Sequence, residues 1–116
     1  MNMFSPIEKY CFDSFMTGSR VYGTPTTDSD VDICMLMSIS AAMHLAGMAG
    51  KDVGEEYEGC AIVMRFGMMN IIAHTDEASF RAWKKATNDL IFYRPVSRAV
   101  AVATIKAELL EAGLEC

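Results

Sequence analysis

Gly18-Ser19, then ten intervening residues, then Asp30-Val31-Asp32, is the spacing in this chain best suited to chemistry. A glycine lets the backbone approach a phosphate with no Cβ in the way, and the neighbouring serine adds a hydroxyl donor at the same spot, so the two residues make an anion cradle. Asp30 and Asp32 stand two apart in a run, 30–37, whose β-favouring residues and length read as a strand. That period turns both carboxylates to one face, together with Cys34 and Leu36, while Val31, Ile33, Met35 and Met37 take the other. Apolar residues on both faces point to an interior strand. An acidic pair at its mouth is costly unless it is paired or binds a cation, and two hard carboxylates suit a divalent ion.

The elements that must hold these residues can be read along the chain. Ser5-Pro6-Ile7-Glu8 is a capping box with proline at the first helical position, which predicts a helix over about 6–14. Residues 15–17 then lead into the glycine turn as a short strand. Ser40 opens an Ala- and Met-rich helix to about residue 49, and 50–59 reads as an acidic loop. Two strands over 60–66 and 68–74 flank a turn near Gly67. Thr75 is placed to cap the next helix, with Asp76 and Glu77 in its first turn and Phe80, Trp83 and Thr87 along one side. Pro95 precedes a last helix that stops before Gly113.

Composition bounds the remaining possibilities. A chain of 116 residues and 12.8 kDa, 52% hydrophobic, has material for one core, so a single domain over 1–116 is expected. Its net charge of -5 and pI near 4.9 argue against an extensive nucleic-acid footprint, which needs clustered Lys and Arg. Cys11, Cys34, Cys60 and Cys116 form no zinc-like spacing, and three of them lie in apolar patterns; they read as core thiols of a reducing cytoplasm, with Cys116 exposed. No apolar run approaches the ~18 residues of a membrane span, and no basic leader precedes a hydrophobic one. The expectation is a soluble cytoplasmic protein with no membrane partner.

The stretch from Thr17 to Ile33, with its glycine, serine, polar loop and aspartates in order, resembles the signature of the DNA polymerase β-like nucleotidyltransferase superfamily, particularly its minimal single-domain members. Met69-Asn70-Ile71-Ile72-Ala73-His74-Thr75-Asp76, with the 80–87 segment after it, is similar to the third-carboxylate strand and following helix of small phage-encoded members. The resemblance implies an α+β fold with a mixed sheet of about four strands packed with helices. It implies transfer of a nucleoside monophosphate from a triphosphate to the hydroxyl of a protein or small-molecule acceptor. Asp30 and Asp32 would hold Mg2+ or Mn2+, and Gly18, Ser19 and Arg20 would bind the nucleotide. Asn70 takes the place of the third carboxylate. An amide accepts no proton at neutral pH, so transfer is expected to be slow or to borrow a base such as His74 or Glu58.

Two alternatives follow from the same resemblance: a catalytically silent nucleotide- or host-protein-binding module of phage origin, and an antitoxin that adds AMP to a helical toxin. If phage-encoded, the protein belongs in the host cytoplasm. Outside the motif, Phe80 and Trp83 read as core, His44 as a half-exposed helical residue, and Arg81, Lys84 and Lys85 as a solvated face. The apolar run 99–105 of the last helix is expected either in the core or, preferably, at a homodimer interface.

Overall fold

The structure is a computed structural model describing residues 9–115. It is an α+β fold built on one five-stranded mixed sheet in the order β1-β2-β5-β4-β3. In chain order the elements are β1 (Cys11–Thr17), α1 (Ser19–Tyr22), β2 (Val31–Met37), α2 (Ile39–Ala49), β3 (Val53–Glu56), β4 (Ala61–Phe66), β5 (Met69–His74), α3 (Glu77–Phe92) and α4 (Arg98–Glu111).

Only β2 and β5 run parallel, and their register sets Asp32 beside Asn70 and Leu36 beside His74. The other three pairings are antiparallel. β2 is thus an interior strand, and both of its faces are covered. Cys34 lies in the layer that α3 and α4 close with Trp83, Ala86, Ile105 and Leu109. Ile33, Met35 and Met37 face the layer that includes Leu45 of α2. The period-2 pattern of the strand decides which residues reach the site: Asp32 shares its face with Cys34, beneath α3 and α4.

The structure differs from expectation in several places, among them the start of α2, which Ser38 rather than Ser40 caps by accepting from the Ala41 amide. Residues 11–14 are strand rather than the end of a helix, because Cys11 to Thr17 pair along the length of β2; this ladder outweighs the local helix signal. The first part of that predicted helix, and its capping box, lies outside the described residues. The acidic segment 50–59 contains the edge strand β3, so the sheet has five strands rather than about four. Gly54, Glu55 and Glu56 have low strand propensity, and charge on an edge strand discourages pairing with other chains, which hides the strand from a pattern search. Asp76, not Thr75, caps α3, accepting from the Ala78 amide at 2.8 Å. Cys60 is disulfide-bonded, which corrects its reading as a core thiol, whereas Cys34 is a fully buried free thiol.

The last helix begins at a Ser97 cap and buries Ala101, Val102, Ile105 and Leu109 against the sheet layer and α3. That side of the apolar run is core, while Ala99, Val100 and Ala103 on its other side are exposed. No helix among the described residues is long and apolar enough to cross a membrane.

His74, at the far end of β5, is buried with its ring against Phe80 and Trp83, and its Nδ1 shares a 2.9 Å hydrogen bond with Ser79 Oγ. Burial lowers its pKa to about 4. The folded protein therefore holds the neutral ring where the unfolded chain takes a proton. Stability from this group is complete above pH 6.5 and is lost as pH falls towards 4. Urea unfolding should show roughly 2–3 kcal/mol less stability at pH 4.5 than at pH 7 from this residue. In His74→Gln that difference should shrink by a similar amount; an unchanged difference would assign the acid sensitivity elsewhere.

Candidate functional site

The site begins where β1 ends. The register sets Thr17 opposite Asp32, and Thr17 itself is fully buried, its Oγ1 bonded to Thr87 Oγ1 of α3 at 2.8 Å. The next residue, Gly18, has φ +85°, and a Cβ there would lie 2.1 Å from Asp32 Oδ2. The glycine is thus required twice, by its backbone angle and by the carboxylate lying where a side chain would start. Its carbonyl accepts from the amides of Val21 and Tyr22 at 2.9 and 3.1 Å, which winds Ser19–Tyr22 into the single turn of α1 and leaves Ser19 exposed beside Asp32. Arg20 donates from Nε to the Ser29 carbonyl at 2.8 Å. It clasps the loop that returns the chain to Asp30.

Asp30 precedes the first residue of β2, and Asp32 is the second residue within it. Asn70 of β5, 5% exposed, joins them: its Nδ2 donates to Asp32 Oδ1 at 2.9 Å and to Asp30 Oδ2 at 3.3 Å. Arg65, its cross-strand neighbour on β4, fixes the amide orientation by donating from Nε to Asn70 Oδ1 at 3.2 Å. The same guanidinium reaches Asp30 Oδ2 with an Nη2 contact of 2.6 Å. An acid pair that would otherwise be repulsive is thus held by one amide and one cation. Burial pushes the Asp32 carboxyl above the usual range, and Glu56 and Asp30 add to the rise, while the Asn70 amide and Arg98 oppose it.

Two cavities adjoin this cluster. One of about 200 Å³ is lined by Ser19, Asp32, Tyr57, Ser97 and Arg98, among others, so it sits between the glycine turn and the first residues of α4. The Tyr22 hydroxyl, which hydrogen-bonds Tyr57 and Thr17, closes its inner wall. Arg98 also lies over the Tyr57 ring, 5.2 Å from its centre. The second, of about 270 Å³, is lined by Asn70 and Arg65 together with Lys51, Asp52, Glu55 and Glu56.

The structure brings together Gly18, Ser19, Asp30, Asp32 and Asn70, and turns the Nε of Arg20 away to the loop. It does not bring the two candidate bases to the pair. His74 is four residues along β5 from Asn70, roughly 13 Å at strand rise, and Glu58 pairs with Lys106 at 2.9 Å. Arg65, Tyr57, Ser97 and Arg98 were not singled out by the sequence. For Arg65 a signal existed: it is the only charged residue in the strand Ala61–Phe66 and falls on the face of Val63.

Among the described residues, no group of three or more His, Cys, Asp and Glu converges to hold a metal ion. By donor chemistry, Asp30 and Asp32 still fit a hard divalent ion, with phosphate oxygens completing its shell. Asn70 does not act as a ligand in this arrangement: its oxygen faces Arg65 and its NH2 faces the acids. Compared with protein-family models, curated proteins and solved structures, the chain gives no match.

Gly18→Ala should destabilise the protein by about 2 kcal/mol or more, from the strained φ and the displaced Asp32. Gly47→Ala, in α2 with nothing within 4 Å of the added methyl, is the control and should be neutral or stabilising by up to ~1 kcal/mol. Denaturant midpoints of the two variants test this, and equal midpoints would contradict the close packing of Gly18 on Asp32.

Proposed function

We propose that the chain is a small nucleotidyltransferase-type domain that binds a nucleoside triphosphate and passes its nucleoside monophosphate, slowly, to a hydroxyl acceptor. The observation that supports this is the packing of Gly18 on Asp32 at a cavity that Asp32 shares with Ser19, Ser97 and Arg98, whose hydroxyls and guanidinium suit a phosphate. Ser19 Oγ and the Arg98 guanidinium contact the phosphates, and the amides at the start of α4 face the same negative charge. Asp30 and Asp32 would hold Mg2+ or Mn2+, which when bound neutralises charge on the phosphates. In the transfer, the acceptor oxygen bonds to the α-phosphorus, the bond to the bridging oxygen breaks, and pyrophosphate leaves. The acceptor proton goes to water or to a substrate oxygen, because Asn70 has no basic atom to receive it.

A second reading, a silent nucleotide-binding module, is favoured by one feature. The Asn70 amide is locked as a donor to both acids, with its oxygen on Arg65. A hydroxyl as acceptor and a phage origin rest on the sequence resemblance.

Isothermal titration with ATP and Mg2+ should show binding to the wild type that Asp32→Ala abolishes. Equal affinity in both proteins, with and without Mg2+, would overturn the reading. Asn70→Asp separates the two alternatives. It replaces the amide with a carboxylate at the same register position, and general-base catalysis is typically worth about 10²- to 10⁴-fold. In an assay with labelled triphosphate, Mn2+ and cell lysate, the variant should transfer label faster than the wild type. It should also melt lower without metal, and Mg2+ should recover the loss. Nucleotide binding without transfer by either protein would leave the silent module as the function.

A further inference from the structure

Arg65 holds an unusual position for a side chain that is 53% exposed. Its guanidinium does two things at once, donating to Asp30 Oδ2 and to Asn70 Oδ1, so it supplies at the acid pair the positive charge that a divalent ion would bring. Asp30 Oδ2 cannot serve both cations at full strength, since the lone pairs facing Arg65 and Asn70 are already engaged. Arg65 also borders the cavity of about 270 Å³ that carries three carboxylates, Asp52, Glu55 and Glu56, against one other cation, Lys51. It therefore has acidic groups on either side of it: Asp30, to which it is bonded, and this cavity, into which a long flexible stem can turn.

We infer that Arg65 is an exchangeable internal counter-ion. In the free protein it neutralises Asp30; when a divalent cation arrives with a polyphosphate, Arg65 releases Asp30 and moves to the acidic cavity, and the Asn70 amide, no longer held by it, is free to turn its oxygen to the pair. This rests on the reading of Asp30 and Asp32 as a cation site. Its consequence is that cation binding is weak alone and strong with polyphosphate, because the polyphosphate charge helps displace the guanidinium. Arg65 is in this sense a positioning residue: it sets which cation the aspartates hold.

The test is Mn2+ binding, followed by electron paramagnetic resonance of free Mn2+, with and without inorganic tripolyphosphate. The proteins are the wild type, Arg65→Met, Arg65→Lys and Asp32→Asn, each first checked for folding by circular dichroism. Arg65→Met should bind Mn2+ alone about tenfold tighter than the wild type, and tripolyphosphate should improve its affinity less than it improves the wild type's. Arg65→Lys, which keeps the charge but not the fork, should fall between them, and Asp32→Asn should lose binding. If Arg65→Met binds Mn2+ no tighter than the wild type while Asp32→Asn loses it, the exchange is overturned and the cation site stands. If no protein binds Mn2+ even with tripolyphosphate, the cation site itself fails, and the exchange with it.

Discussion

A carboxylate on an interior strand is the constraint around which this molecule is arranged. Asp32 belongs to β2, which has strands on both sides and apolar layers on both faces, and a charge placed there must be compensated within a few ångströms. Three neighbours answer that need. Gly18 brings backbone without a side chain to one oxygen, Asn70 donates to the other, and Arg65 relieves Asp30 so that Asn70 can serve both acids. Each comes from a different strand or strand end, so the parallel pairing of β2 with β5 and the antiparallel pairing of β5 with β4 are conditions for the site as much as for the sheet. Removing one partner of such a network leaves a buried polar group unsatisfied, which is costlier than never having buried it.

How far this was legible in the sequence follows from the distance over which each feature is determined. The glycine turn, the face shared by Asp32 and Cys34, and the interior character of β2 depend on near neighbours and a period of two. They are seen as expected. The place of Asn70 was also readable once β5 was set beside β2, because register then leaves it only one direction. Arg65 was not. Its role arises from a pairing with Asn70 across a tight turn and a reach of 35 positions back to Asp30; the local signal, a lone charge on the Val63 face of its strand, names neither partner. β3 failed for a different reason: its residues disfavour strand, and only the open edge of β4 recruits them. At the other end of the sheet, residues 11–14 carried a helix signal that the β1–β2 ladder overrode.

The two apolar layers also divide labour. The layer under α2 is apolar throughout its buried members, with Met35, Met37, Leu45 and Ile71 among the most enclosed. The layer under α3 and α4 carries all the buried polar groups among the described residues, namely Thr17, Asn70, His74 and Thr87, along with the phenols of Tyr22 and Tyr57. Most of these are bonded to each other, and burial raises both phenols, which keeps them protonated as donors. The face under α2 is thus purely apolar, while the face under α3 and α4 combines the larger apolar core with the polar groups that reach the end of the sheet where Asp30 and Asp32 emerge.

The pairing of β2 with β5 has a further meaning for how the chain reaches this state. Hairpins such as β4–β5 close over a short loop and form early, whereas parallel neighbours must wait for the whole intervening segment. Asp32 and Asn70 are 38 positions apart, with a helix and two strands between them. During synthesis the aspartates therefore emerge well before the amide and the guanidinium that compensate them, and until β5 docks they have every reason to stay in water. Full compensation of the acid pair therefore belongs to the completed sheet and to no shorter piece of it.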